Sequence, residues 1–192
     1  MLASRSFNIV SNMISGYMQI VKIPAERVLT LLGESGETKD YLERRMKVSL
    51  SVDSDGGIEI SGDPVDEFIG KDIIKAIGRG FEPSIALRLL SDDYAFKLID
   101  LRDYTNHENA RHRIMGRVIG EKGRTKEIVK EEVGADVSCY GHTVGVICRL
   151  DTMNYAMEAI FRIIEGSNHA SVYAYLEKCR RRIKEAELRK LF

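Results

Sequence analysis

The motif Gly-x-x-Gly occurs twice in this chain, as Gly33-Glu34-Ser35-Gly36 and as Gly120-Glu121-Lys122-Gly123. Displacing the sequence by 87 positions lays Leu31-Leu32 on Val118-Ile119, Thr38-Lys39 on Thr125-Lys126 and Leu42 on Val129. Val48, Leu50 and Val52 then fall on Ala135, Val137 and Cys139. A four-letter motif recurs easily by chance. Apolar positions that keep register across a helix and into a strand do not. The repeat therefore constrains the chain to two copies of one folding unit.

Periodicity supplies the elements of that unit. In the first half, Tyr17 to Ile23 alternates at a period near two, which predicts a strand. Pro24 suits the first turn of a helix running through Val28, Leu31 and Leu32 to the first loop. A second helix carries Tyr41, Leu42, Arg45 and Met46, and Val48 to Val52 alternates again. Asp55-Gly56-Gly57 marks a turn into the strand Ile58-Glu59-Ile60. Pro64 opens a helix with Val65, Phe68, Ile69, Ile73 and Ile77 expected on its buried face.

The second half repeats this order. Ala95 to Leu101 reads as a strand, and Asn109 to Ile119 and Arg124 to Val133 as helices, the latter ended by Gly134. Ala135 to Tyr140 and Thr143 to Leu150 form strands joined by Gly141-His142, and Thr152 to Ile164 an amphipathic helix with Met153, Ala156, Met157, Ile160 and Ile164 on its face. Gly78-Arg79-Gly80-Phe81-Glu82-Pro83 separates the halves, with a short linking helix from Ser84 to Leu90. An extra helix from about Ala170 to Leu191 carries one apolar stripe through Val172, Tyr173, Leu176, Ile183 and Ala186.

A G-x-x-G loop between two helices, in the order β-α-α-β-β-α, resembles the clamp of a KH domain, which holds a single-stranded nucleic-acid backbone. The expected fold is α+β: two tandem type I KH domains, each a three-stranded antiparallel sheet packed by helices, plus the C-terminal helix. The expected domains are residues 1–91, including the linking helix, and residues 92–192. The residue types suit the task. Glycines let the backbone approach a phosphate closely. The helix after the loop directs unpaired N–H groups and its dipole at the anion.

Formal net charge is zero, so the case for nucleic acid rests on local asymmetry. From Asn106 to Lys130 there are seven basic and three acidic residues, whereas Ile20 to Lys47 holds six and five. Lys122 lies inside the second loop, and Glu34 and Ser35 inside the first. The second loop is therefore expected to be the main clamp. RNA contact is expected of Arg113, Gly116, Arg117 and Ile119 before it, and of Gly120, Glu121, Lys122 and Gly123 within it. Arg124 and Lys126 follow, with Val137 on the strand that borders the groove. Weaker contact is expected at Gly33, Glu34, Ser35, Gly36 and Lys39.

Two further stretches narrow the resemblance. They are Ile77-Gly78-Arg79-Gly80-Phe81-Glu82-Pro83-Ser84-Ile85-Ala86-Leu87-Arg88-Leu89-Leu90 with Asp92-Asp93-Tyr94, and Gly116-Arg117-Val118-Ile119-Gly120-Glu121-Lys122-Gly123-Arg124-Thr125-Lys126. Both resemble the archaeal form of the two-KH-domain ribosomal RNA processing family called "partner of Nob one" in eukaryotes. The match runs from Met18 to Glu165. The resemblance implies binding near the 3′ end of small-subunit ribosomal RNA during subunit assembly. It also implies a place beside the endonuclease that trims that end, and a link with the alpha subunit of translation initiation factor two.

Other chemistries fit the residues poorly. Gly116 to Lys122 is no P-loop, because position 121 is Glu and no Gly-Lys-Ser/Thr follows. The four histidines have no cysteine or carboxylate at ligand spacing, and Cys139, Cys148 and Cys179 form no C-x-x-C. Asp92-Asp93 reads as a cap or turn rather than a nuclease pair. Tyr104, Tyr140 and Phe81 could stack on bases, with packing the default for each. The basic run Lys178, Arg180, Arg181, Arg182 and Lys184 reads as a solvated helix face, with RNA contact the alternative. No catalytic constellation, cofactor or metal site is expected. No apolar run is long enough to span a membrane, no signal peptide is read in Met1 to Ser15, and a cytoplasmic monomer is expected. The competing reading is a KH scaffold that mainly binds proteins, a nuclease or an initiation factor.

Overall fold

The computed structural model describes residues 19–53 and 55–189, in two compact units that part between Leu90 and Ser91. Tyr17 and Met18 of the expected first strand, the Met1 to Ser15 stretch, and Lys190 and Leu191 of the last helix lie outside the described residues. Among the described residues, no helix is long and apolar enough to cross a membrane.

The first unit runs β1 (Gln19–Lys22), α1 (Ala25–Leu32), a 3-10 turn (Glu34–Gly36), α2 (Glu37–Met46), β2 (Val48–Val52), β3 (Gly57–Gly62) and α3 (Pro64–Gly78). Its sheet has the order β1-β3-β2, antiparallel throughout. Pro24 sits at the N-cap of α1, one position earlier than expected. Asp63 caps α3 by accepting from Val65 N at 3.1 Å, with Pro64 in the first turn.

The face that α3 buries differs from the expected one. Val65 and Phe68 are 65% and 68% exposed, while Glu67, Gly70, Ile73, Ile74 and Ile77 are buried. The steps 67, 70, 74, 77 alternate three and four, so they trace one side of a 3.6-residue helix. Reading only the large apolar residues mixed two faces, because the true face includes Gly70 and the carboxylate of Glu67. That carboxylate accepts from Gly62 N at 2.9 Å and so satisfies the end of β3.

The stretch after α3 is a helix stop and a core plug, not a spacer. Gly80 N donates to Ile77 O and Phe81 N to Ala76 O, the paired bonds of a Schellman motif. Gly80 supplies the left-handed residue, at φ 92°. Arg27 of α1 reaches across to donate to Ile77 O at 3.0 Å and Phe81 O at 2.9 Å. Phe81 is 3% exposed, so its role is packing. Ala86 and Leu87, at the junction of a short helix α4 (Pro83–Ala86) and a 3-10 turn (Leu87–Leu90), are also buried.

The second unit repeats the order with β4 (Tyr94–Asp100), α5 (Glu108–Ile119), a 3-10 turn (Glu121–Gly123), α6 (Arg124–Val133), β5 (Asp136–Tyr140), β6 (Thr143–Arg149) and α7 (Leu150–Ile164). Its antiparallel sheet has the matching order β4-β6-β5. Gly141 takes φ 58° at the first central position of the two-residue hairpin between β5 and β6. The added helix α8 (His169–Arg189) packs on α6 and α7. It does so through Val172, Leu176 and Cys179, with Ile183 half-buried. Ala186, expected in the stripe, is exposed, and Cys179 takes a place the apolar pattern did not assign.

Candidate nucleic-acid interface

The two G-x-x-G loops share one backbone conformation. Gly33 and Gly120 have φ 72° and 76° with ψ near 180°. Ser35 and Lys122 are left-handed at φ 57° and 50°. Gly36 and Gly123 follow at φ 89° and 85°. The first glycine of each is obligatory for two reasons. Its backbone lies where only glycine rests without strain, and a Cβ there would meet the Oγ1 of Thr38 or Thr125 at 2.2 Å. This close seat explains why a threonine recurs five residues later in both halves.

The surroundings differ. In the first unit, Glu43 of α2 accepts from Leu50 N of β2 at 2.6 Å and pairs with Lys39 Nζ at 3.1 Å. One carboxylate thus occupies a backbone donor on the edge strand and neutralises the cation expected to meet phosphate. In the second unit, the residues equivalent to Glu43 and Lys39 are Lys130 and Lys126. Lys130 is turned to Asp136, at 2.9 Å, and Lys126 makes no ion pair among the described residues. Lys126 lies close enough to Cys139 to affect it: burial pushes that thiol up to about 11, and the Lys126 charge opposes the rise.

Where the first unit projects Leu29, 74% exposed, the second has Gly116, beside which a Cβ would meet nothing within 4 Å. Lys122, Arg113 and Arg124 are exposed, as is Glu121 within the loop. Arg124 makes only long contacts with Glu127 and Glu131, at 3.6 and 4.0 Å, which exposed side chains hold weakly. Gly123 caps α6, whose first turn points its unpaired N–H groups at the loop. Ile119 is half-buried at the end of α5.

Two expected contact residues have other roles. Val137 is 6% exposed and belongs to the hydrophobic core, because its side chain takes the inner face of β5. Arg117 donates its guanidinium to the carbonyl of Ser167, and its own carbonyl accepts from His169 Nε2 at 2.9 Å. That half-buried arginine ties α5 to the start of α8. Sequence spacing could not show this, since the partners lie 50 and 52 residues away.

The start of α8 braces the second loop from beneath. Tyr173 shares a hydrogen bond of 2.8 Å with Thr125, the residue under Gly120, and Thr125 is fully buried. The His169 ring stands against Tyr173 with centroids 5.8 Å apart. Thr38, beneath the first loop, is only half-buried. The sequence carried no signal for this brace beyond the presence of the extra helix.

Known proteins place this arrangement. Residues 95–181 match the model of the eukaryotic type KH domain, KH-domain type I. The KH domain-containing protein MJ0443 of Methanocaldococcus jannaschii is 40% identical over 174 residues, covering 88% of this chain and 77% of that protein. A chain in the crystal structure of the a/eIF2alpha–aDim2p–rRNA complex from Pyrococcus horikoshii superposes with a TM-score of 0.81 at 39% identity, over 88% of this chain and 97% of that one. The pre-rRNA-processing protein pno1 of Aspergillus fumigatus is 34% identical over 119 residues, and this chain spans 47% of its length. With such identity over most of both archaeal relatives, the chain belongs to the PNO1/Dim2 family of KH-domain proteins.

Proposed function

We propose that the chain is a non-catalytic RNA-binding factor of small-subunit ribosome assembly. It acts in the cytoplasm and holds single-stranded RNA near the 3′ end of small-subunit ribosomal RNA in the groove of its second KH domain. The phosphates meet the backbone of Gly120 to Gly123, Lys122, Arg124 and Lys126, with Arg113 beside them. Unstacked bases, about four per groove, lie against Ile119 and the space left open by Gly116. Family membership supports the reading, as does the joint presence of rRNA and eIF2alpha with aDim2p in the Pyrococcus complex. The same two partners are proposed for this chain.

One observation carries the choice of groove. The two loops have the same backbone, yet in the first unit Glu43 neutralises Lys39 and occupies Leu50 N. Attraction to phosphate falls steeply when a cation is already paired in the apo protein. The test is a titration of Lys122→Asp and Ser35→Asp with single-stranded RNA from the 3′ end. Lys122→Asp is expected to weaken binding at least tenfold, and Ser35→Asp by a small factor. Equal losses would sink the assignment. Retained binding to eIF2alpha with no RNA affinity in the unaltered protein would favour the protein-scaffold reading.

A further inference from the structure

In the first unit, four cations gather away from the G-x-x-G loop. A cavity of about 220 Å³ between β1 and the second half of α3 is lined by Lys22, Lys71, Lys75 and Arg79, with Ile20 and Ile23. Among the described residues, no acidic side chain lines it. Yet residues 19–90 hold thirteen carboxylates against ten lysines and arginines. Four of the ten cations of an acidic unit thus share one concavity. β1 is the sheet edge opposite β2, the strand on which α2 packs.

Helix physics accounts for part of this. The C-terminal end of a helix favours positive charge, which explains Lys75 and Arg79. It does not explain Lys22, which comes from the strand, or Lys71, two turns before the helix end. Lys71 and Lys75 are spaced by four on α3 and Arg79 follows at its C-cap, so the three cations lie along one side of the helix end, where like charges repel. Lys71 is held in place: its Nζ donates to Gln19 Oε1 at 3.0 Å at the start of β1. Ile20, 65% exposed, sets an apolar wall beside the charges.

We propose that this cavity is a second contact site for the RNA backbone, taking a phosphodiester between Lys22, Lys71 and Lys75 with a ribose or base edge on Ile20. The inference rests on the RNA-binding reading above but not on its choice of groove. It gives the first KH domain an RNA contact at its β1 edge, apart from its G-x-x-G loop.

The experiment is an anisotropy titration of the full chain with a single-stranded RNA of about 20 nucleotides, long enough to pass beyond one groove. Unaltered protein, Lys22→Gln/Lys75→Gln and Lys122→Asp are compared at several salt concentrations. Both substituted lysines are exposed, so the melting temperature is expected to stay unchanged. Losing two phosphate contacts lowers the slope of log affinity against log salt by about 1.4, with roughly tenfold weaker binding at low salt. If the double variant keeps the full slope and affinity while Lys122→Asp loses them, the cavity proposal is overturned and the groove assignment stands. If the double variant loses them and Lys122→Asp does not, the groove assignment falls and the cavity stands. No RNA binding by the unaltered protein would overturn both.

Discussion

Each loop glycine carries its own constraint, and the two in one loop are not equivalent. Gly120 combines a backbone open only to glycine with a neighbour 2.2 Å from any added Cβ, and that neighbour is the fully buried Thr125. Thr125 cannot give way, because Tyr173 holds its hydroxyl. Gly123 has φ 85° but open space around it. Gly120→Ala is therefore expected to cost about 3 kcal/mol, adding overpacking to backbone strain. Gly123→Ala should cost about 1 kcal/mol, the left-handed penalty alone. Urea denaturation of both variants measures the difference, and equal costs would show that Thr125 can move. A second residue-scale expectation concerns acid. The side-chain hydrogen bond from Arg102, against some desolvation and aided by Arg102 N, lowers the Asp100 carboxyl from 3.8 to about 2. A depressed folded value means its stabilisation is complete above about pH 4 and lost as pH falls through about 2. Asp100→Asn should flatten the fall in stability over that window in an acid titration followed by circular dichroism. An unchanged acid limb would refute this.

At the level of elements, the boundaries of helices and strands were legible because Gly, Pro and the change of period from two to 3.6 mark them locally. Gly134 ended α6 where expected, and Pro64 opened α3. The buried face of α3 was not legible, because Gly70 and Glu67 belong to it and Phe68 does not. Nor was the meaning of Gly78-Arg79-Gly80-Phe81, whose bonds close a helix end onto Arg27 from another element. Convergence of residues about 50 positions apart leaves no periodic trace. The same limit hid Ser167 under Arg117 and Tyr173 under Thr125. The two phenylalanines give the element-scale prediction. Phe81→Ala empties a buried site at the Schellman end and should cost about 3–5 kcal/mol. Phe68→Ala removes a side chain that is 68% exposed and should change stability by less than about 0.5 kcal/mol. Urea midpoints of the two variants decide it, and a large loss at Phe68 would mean that α3 buries the face first expected.

For the whole molecule, the informative quantity is the zero net charge. A protein with twenty-nine cations and twenty-nine carboxylates presents no general field to attract a polyanion. On the proposed reading, its attraction to RNA comes from two local surpluses of cations: the surroundings of Lys122 and Lys126, and the cavity at Lys22 and Lys75. A duplex has a higher phosphate density than a single strand, so a binder driven by field alone would prefer it. A KH groove reverses that order. Bases must be unstacked and unpaired to enter it, and opening a duplex costs about 1.4 kcal/mol per step. Freeing four bases therefore opposes duplex binding by several kcal/mol, more than two or three extra phosphate contacts return at moderate salt. A single strand from the 3′ end of small-subunit ribosomal RNA should bind more than tenfold tighter than the same strand annealed to its complement. The comparison is a competition titration at about 0.15 M salt, near the physiological Debye length. Equal affinities would mean that RNA is held on a charged surface, with the second groove empty.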